Sequence, residues 1–352
     1  MTRAPGPHPL PVFLAALQGA CAGDSARLAA ALAGLARYQQ AARPPPLPPR
    51  PEVARVGGVT LRGRIGPRPL VMVPSLINPP DVLDLPGRSL FAHFEAAGLD
   101  PLLVDWGPQP EPLGLADLVR ERLAPLVQSL AQPVGLMGYC LGGTLALALA
   151  GQVAATRLAL IATPWNFAGY DAAARAGLAR WWASAEPLAQ TMGQLPIDLL
   201  QPAFWSLDPA GLAAKYERLA TADAATLADF VRLEDWANGG APLSLAVAHD
   251  MAALFGGQAA TLAPVPAIPI LDAVALSDRI VPAAAALSPP GSASRLDIAG
   301  GHVGMVVGRQ APDRLWAALT TFFAAEQAVA DGAARQSGLG CTKRLAISGE
   351  DP

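Results

Sequence analysis

The chain is short of cysteine and histidine, and neither sign of charge is in excess. Its 352 residues include three cysteines, Cys21, Cys140 and Cys341, and four histidines, at 8, 93, 249 and 302. Three scattered thiols make neither a disulfide framework nor a metal-binding set, so a reducing, cytoplasmic compartment fits. The formal net charge is −3, with 25 basic against 28 acidic residues. No basic excess points to nucleic acid, and no charge block offers an electrostatic membrane anchor. A secretory leader is imitated only faintly by Arg3, the apolar run from Leu10 to Leu17 and small residues near Ala22, and Pro5, Pro7, Pro9 and Pro11 spoil it. The uncharged span from Leu123 to Thr156 has the length of a membrane helix. Pro133 and the glycines at 135, 138, 142 and 143 instead divide it into helix, strand, turn and helix, so no transmembrane segment is expected.

What is abundant is apolar material: 52% of residues, at a mean hydropathy of +0.33. Alanine and leucine dominate it, which suits helices packed on a buried sheet. From Asp24 to Ala42 apolar residues recur at helical spacing, and ARPPPLPPRP follows as a stiff, extended linker. Residues 1–50 therefore read as an N-terminal helix and proline-rich linker, and the compact body begins near Pro51. Val53 to Arg64 alternates around Gly57 and Gly58 like a hairpin. Short apolar runs follow, PLVMVP at 69–74, PLLVDW at 101–106, VGLMGY at 134–139 and RLALIAT at 157–163, with helical stretches between them. Strands alternating with helices predict a parallel sheet covered on both faces, an α/β fold. The rhythm breaks between Trp165 and Leu262, where five of the seven tryptophans lie and helical periodicity continues without a clear strand. This reads as a helical insertion. The pattern resumes with AIPILDAVAL at 267–276, SRLDIAG at 294–300 and a final helix from Pro312 to about Ala328, before a polar, aperiodic tail over 331–352 that reads as disordered.

The stretch MGYCLGGT, Met137 to Thr144, sets one of the few cysteines among glycines where a predicted strand gives way to a predicted helix. That is the context of a nucleophile elbow. The nucleophile's backbone is strained there, and side chains two before and two after it would collide with the strand and helix, so Gly138 and Gly142 fit the need. Cys140 would then stand above the sheet, its thiolate favoured by the positive end of the following helix. A free cysteine in an apolar setting is ordinarily just a small buried side chain. The glycine frame reverses that reading.

Such an elbow requires an acid and then a histidine later in the chain. His302, in AGGHVGM after the last strand, has glycines that leave its imidazole room, and its chain order agrees. His249, in the insertion, is the alternative; His8 lies in the proline-rich start and His93 in a helix before the nucleophile. For the acid, Asp278 in LSDRIVP ends the penultimate strand. Asp272 lies within that strand, where a buried carboxylate without partners is costly, and Asp297 is too close to His302 along the chain. The oxyanion left by attack on a carbonyl needs preorganised N–H donors. Leu141 offers one, and the loop VPSLINPP offers another at Ser75 or Leu76.

Taken together, these segments resemble the polyhydroxyalkanoate synthase family of the α/β-hydrolase superfamily, in particular its short catalytic subunits. GYCLGG matches every fixed place of the family's lipase-box variant G-x-C-x-G-G. VPSLINPPDVLDLPGRSL resembles the family's Ile-Asn step and leucine-aspartate-leucine run, and LLVDWG its next strand end. LPIDLLQPAFWSLDP, KYERL and FVRLEDWANGGAP are similar to its cap region, and SDRIVP and GGHVGMVV to its acid and histidine motifs. The resemblance covers about Pro51 to Ala328. It implies an α/β-hydrolase fold: a catalytic domain over 51–330 with a mostly parallel sheet, helices on both faces and a helical cap insertion at about 165–262. It further implies that Cys140 takes the acyl group of an (R)-3-hydroxyacyl-coenzyme A, that His302 activates Cys140, and that Asp278 orients His302 or helps deprotonate the next hydroxyl. The polyester would grow by transesterification with release of coenzyme A, which is substrate here; no metal or redox cofactor is called for. The implied partners are the hydroxyacyl-coenzyme A, the growing polyester, and a second synthase subunit or, in competition, a homodimer. Polymer granules join the cytoplasm as a location.

Two other functions fit the same residues. A thioesterase or ester hydrolase with a cysteine nucleophile differs only in letting water reach the acyl-enzyme. Trp165, Trp181, Trp182, Trp205 and Trp236 could exclude that water and hold an apolar acyl chain, or simply pack a cap. A non-catalytic, granule-associated paralogue would have no use for an intact Cys140, Asp278 and His302.

Overall fold

The computed structural model describes residues 6–43, 48–108, 110–257, 261–287 and 293–325. One sheet holds eight strands: β1 Glu52–Val56, β2 Val59–Gly63, β3 Pro69–Val73, β4 Asp100–Asp105, β5 Val134–Tyr139, β6 Ala155–Ile161, β7 Ile270–Ala275 and β8 Ala293–Ile298. Their spatial order is β1-β2-β4-β3-β5-β6-β7-β8. β2 runs antiparallel to both β1 and β4, and every pair from β4 onward is parallel. Every residue of β3 and β5 is buried. That is why their sequences are unbroken apolar runs: helices cover both faces of a parallel sheet. The α/β reading holds, strand by strand, to within a few residues.

Among the longer helices are α1 Leu10–Ala20, α2 Ser25–Gln40, α3 Leu141–Ala150, α4 Ala172–Met192, α5 Ile197–Ser206, α6 Pro209–Leu219, α7 Ala224–Ala237 and α8 Leu245–Phe255. Helices α4 to α8 leave the sheet between β6 and β7 and form the insertion. Most start on a side-chain cap. Asp171, Asp208 and Asp223 accept from the amides of Ala174, Gly211 and Thr226, and Ser244 from that of Val247, at 2.7 to 3.0 Å. Each cap satisfies a donor that the helix cannot, a contribution of about 1 kcal/mol. Contrary to a wholly helical insertion, Gln194–Leu195 pairs antiparallel with Leu243–Ser244 at the cap's base. Two residues are too few to write an alternating pattern.

Before the linker the structure has two helices, where periodicity picks out one. Pro11 lies in the first turn of α1, where its missing N–H removes no helical bond. Phe13, Leu17, Leu35 and Tyr38 pack with Trp205, Leu212, Tyr216 and Val231 in a second core, separate from that of the sheet. Polar ties reinforce it. Arg37 donates to the carbonyls of Leu219, which ends α6, and of Ala222 just after it, at 2.6 and 2.8 Å, Arg27 pairs with Glu217 at 2.7 Å, and Tyr38 and Arg43 both hold Asp235, at 2.6 and 3.0 Å. The N-terminal helices are thereby fastened to the insertion. The middle of the proline linker, Cys341 and the tail over 331–352 lie outside the described residues, and the last helix is described through residue 325. Among the described residues, no helix is long and apolar enough to cross a membrane.

Candidate active site

β5 ends at Tyr139 and α3 begins at Leu141, so Cys140 alone makes the turn between them, at φ 55° and ψ −130°. A non-glycine residue at positive φ is strained and held by its surroundings. Three glycines permit this one. A Cβ on Gly138 would lie 2.4 Å from Gly143 Cα, one on Gly142 2.3 Å from the Val73 and Pro74 carbonyl oxygens, and one on Gly143 1.9 Å from Thr163 Oγ1. The first two are the glycines an elbow requires on sequence grounds; the third lets α3 approach the end of β6.

The loops after β7 and β8 bring Asp278 and His302 together. His302 Nδ1 donates to Asp278 Oδ2 at 2.6 Å, while Asp278 Oδ1 accepts from the amides of Ile280 and Val281 at 2.8 and 2.9 Å. The carboxylate side chain is wholly buried and the imidazole nearly so. With Nδ1 engaged, Nε2 is the nitrogen left for Cys140. Burial by itself would lower the pKa of His302. The negative charge of Cys140 and the hydrogen bonds to Asp278 and Cys140 outweigh it and push the imidazole up to about 10. Paired with an ionised Cys140, the imidazole is therefore charged near neutrality.

The other candidates lie elsewhere. His249, with about half of its side chain exposed, faces Glu186 at 3.3 Å and sets its ring edge-on to Trp182. His93 bonds Thr320 Oγ1 at 3.1 Å, with its ring tilted 5.3 Å from that of Trp316. Asp297 pairs with Arg295 on β8. Asp272 is 1% exposed in the middle of β7. Burial pushes its carboxyl up to about 7, against the charge of Arg295 and the Leu287 amide, which favour the charged form; that amide makes no bond of ordinary geometry with it.

Two tyrosines carry no mark in the sequence reading. The Tyr139 ring lies 5.1 Å from the His302 ring, and its hydroxyl donates to the His302 carbonyl at 3.4 Å. Tyr170 donates to the Ile280 carbonyl at 3.1 Å, steadying the acid loop. Burial, with the negative charges of Cys140 and Asp278, holds both phenols well above their usual pKa, so both stay neutral donors. Tyr139 could have been suspected as the neighbour of Cys140; nothing in the sequence marks Tyr170.

Above Cys140 opens a cavity of about 1210 Å³ between sheet and insertion, lined by Ser75, Leu141 and His302 below and by Trp181, Trp182, Trp205 and Trp236 above. Trp165 is buried in the sheet's core. Of the two candidates for the second oxyanion donor, Ser75 lines this cavity, and Leu76 lines a small hollow beside Trp106. Among the described residues, no group of three or more His, Cys, Asp or Glu side chains is placed to hold a metal ion. Chemically, the site offers a cysteine sulfur, a carboxylate-oriented imidazole able to hold that sulfur's proton, and an apolar chamber above them.

No protein-family model matches the chain. It is 26% identical over 299 residues to the poly(3-hydroxyalkanoate) polymerase subunit PhaC of Haloferax mediterranei, covering 73% of this chain and 58% of the relative. It is 32% identical over 188 residues to the subunit of the same name from Synechocystis, covering 48% of this chain and 50% of that one. The chain thus spans about half the length of the curated relatives it matches. Among solved structures, a putative non-heme bromoperoxidase from Mycobacterium tuberculosis superposes with a TM-score of 0.50 at 17% identity, over 77% of this chain and 97% of that one. That likeness concerns the fold, which is the α/β-hydrolase fold. Both curated relatives carry the family name that the motifs suggest.

Proposed function

We propose that this chain, which resembles the polyhydroxyalkanoate synthases in its motifs and in its curated relatives, is an acyltransferase that polymerises (R)-3-hydroxyacyl groups from coenzyme A thioesters. The observation that carries the reading is an elbow cysteine beside an Asp278-oriented imidazole, on the floor of a large apolar chamber. With its proton held by His302, Cys140 Sγ attacks the thioester carbonyl, and negative charge builds on the carbonyl oxygen, where the Leu141 amide and an amide of the loop after β3 would receive it. The carbon–sulfur bond to coenzyme A then breaks, and the leaving sulfur takes the proton of His302. Neutral His302 next accepts the proton of a hydroxyacyl hydroxyl, whose oxygen attacks the Cys140 thioester. An ester forms as the carbon–sulfur bond to Cys140 breaks, and the sulfur is regenerated with its proton on His302.

Of the two roles open to Asp278, orientation has the stronger support. Both its oxygens are engaged and its side chain has no exposed surface, so an incoming hydroxyl has no route to it. The tryptophan-lined roof favours an apolar acyl chain over water, which is what separates transfer from hydrolysis. The test is incubation of the purified protein with 3-hydroxybutyryl-coenzyme A while free thiol is followed. Insoluble polyester is the expected product; free hydroxy acid in equal amount to the thiol would make the chain a thioesterase instead. The partner follows from the same reading: a second subunit, or a second copy, holds the cap in its working position.

A further inference from the structure

The loop that offers the second oxyanion donor is fastened at both ends. At its root, the Val73 and Pro74 carbonyls lie directly on the first turn of α3, at the place a Cβ of Gly142 would occupy, and Trp106 Nε1 donates to the Pro74 carbonyl at 3.3 Å. At its tip, Asn78 Nδ2 donates to the Ala237 carbonyl at 3.1 Å and lies 3.3 and 3.5 Å from those of Gly239 and Trp236. These carbonyls end helix α7 of the cap, where intrahelical donors have run out. Two further contacts close the junction. Trp236 Nε1 donates to the Pro79 carbonyl at 2.8 Å, and Gly240, at φ 142°, comes so near Ile77 that a Cβ would stand 2.3 Å from its oxygen. Between root and tip lie Ser75, Leu76 and Ile77, too short a segment to take up slack. A displacement of the end of α7 must reach the amides of Ser75 and Leu76.

From this we infer that Asn78 is a positioning residue that couples the placement of the cap to the oxyanion donors above Cys140. With α7 seated as here, the loop is held against α3; when the end of α7 shifts, Asn78 draws the loop with it. The inference rests on the acyl-transfer reading, since only attack on a carbonyl needs an oxyanion site. It gives the cap a role in the chemistry besides excluding water.

Two reactions of the same sulfur separate this role from a merely structural one. With iodoacetamide, Cys140 Sγ forms a bond to carbon and iodide leaves, and no charge builds on an oxygen. With p-nitrophenyl butyrate, Sγ attacks the carbonyl, charge builds on its oxygen, and p-nitrophenolate leaves as the carbon–oxygen bond breaks. In the full chain, Asn78→Ala is expected to slow acylation of Cys140 by about 10- to 100-fold, the scale of a misplacement of about an ångström, while alkylation stays within about twofold. Trp236→Phe, which removes the indole donor to Pro79, should move the same ratio in the same direction by a smaller factor. Acylation and alkylation falling together in both variants would reduce Asn78 to a fold-stabilising residue, and acylation unchanged in both would remove the coupling altogether. If the wild-type chain acylates from the ester yet never releases coenzyme A from 3-hydroxybutyryl-coenzyme A, the polymerase reading fails while the coupling stands.

Discussion

Asp278→Asn is the sharpest test of the candidate triad, because the structure dictates how the amide must sit. Oδ1 accepts two backbone amides, from Ile280 and Val281. An NH2 group there would face two donors, so the asparagine oxygen takes that place and its NH2 turns to His302. At 2.6 Å from Nδ1, that NH2 needs an acceptor. The imidazole therefore adopts the tautomer with its proton on Nε2, toward Cys140, and can no longer take a proton from that side. In a serine triad the equivalent change costs about 10⁴ in kcat, or about 5.4 kcal/mol at 1.36 kcal/mol per tenfold. The same order is expected here. Single-turnover release of coenzyme A from 3-hydroxybutyryl-coenzyme A reads acylation, and polymer formation reads elongation; an orienting acid slows both alike. The His302 ring should also titrate lower than about 10 in an NMR experiment, because Asp278 supplies part of what raises it. Acylation within tenfold of wild type, with His302 titrating as before, would refute the orientation argument.

Cys140→Ala should abolish coenzyme A release, and NMR should find the His302 pKa well below its wild-type position, because the charge of Cys140 is the foremost influence raising it. His302→Gln should stop acylation under single-turnover conditions; normal acylation would move the base to another group, His249 first. Asp272→Asn should leave turnover intact and change stability in a pH-dependent way. Folded, Asp272 keeps its proton up to about pH 7, against 3.8 as its ordinary value. Wild-type stability therefore falls as pH rises between those values, with a ceiling of about 4 kcal/mol at 1.36 kcal/mol per pH unit. Urea unfolding should show the asparagine variant more stable at pH 8 and equal to wild type at pH 4; the same gain at both would contradict the burial account. Phe13→Ala should cost about 3–5 kcal/mol by opening the second core, and limited proteolysis should then cut the insertion before the sheet.

The sheet and elbow were legible because their physics writes local patterns. A strand buried on both faces must be apolar throughout, and a turn that admits no Cβ must carry glycine, so β5 and GYCLGG announce themselves. The N-terminal arrangement was not. Four prolines before residue 12 mask the start of α1, although the last of them, Pro11, sits where a helix tolerates it. That α1 and α2 pack on the cap is a property of surfaces far apart in the chain, which periodicity cannot report. Asn78 was legible as part of a motif but not in its role, since a side chain that bonds backbone carbonyls about 160 residues away leaves no spacing signal.

The two aspartates on and just after β7 separate in sequence on one ground, that a buried strand carboxylate without partners is costly. Asp278 does hold His302 and two amides, while Asp272 lies in the strand without a bond of ordinary geometry among the described residues. The cost is real, but it did not exclude Asp272 from the interior. It is met by keeping the proton, which turns a charged side chain into a neutral one of nearly the same shape and leaves only the weaker penalty of an unpaired polar group. The cost of burial therefore ranks which of two carboxylates can serve as an anion at neutral pH, and that is the property a histidine-orienting acid needs. It does not say where a carboxylate can be placed, because protonation removes the charge on which the cost depends.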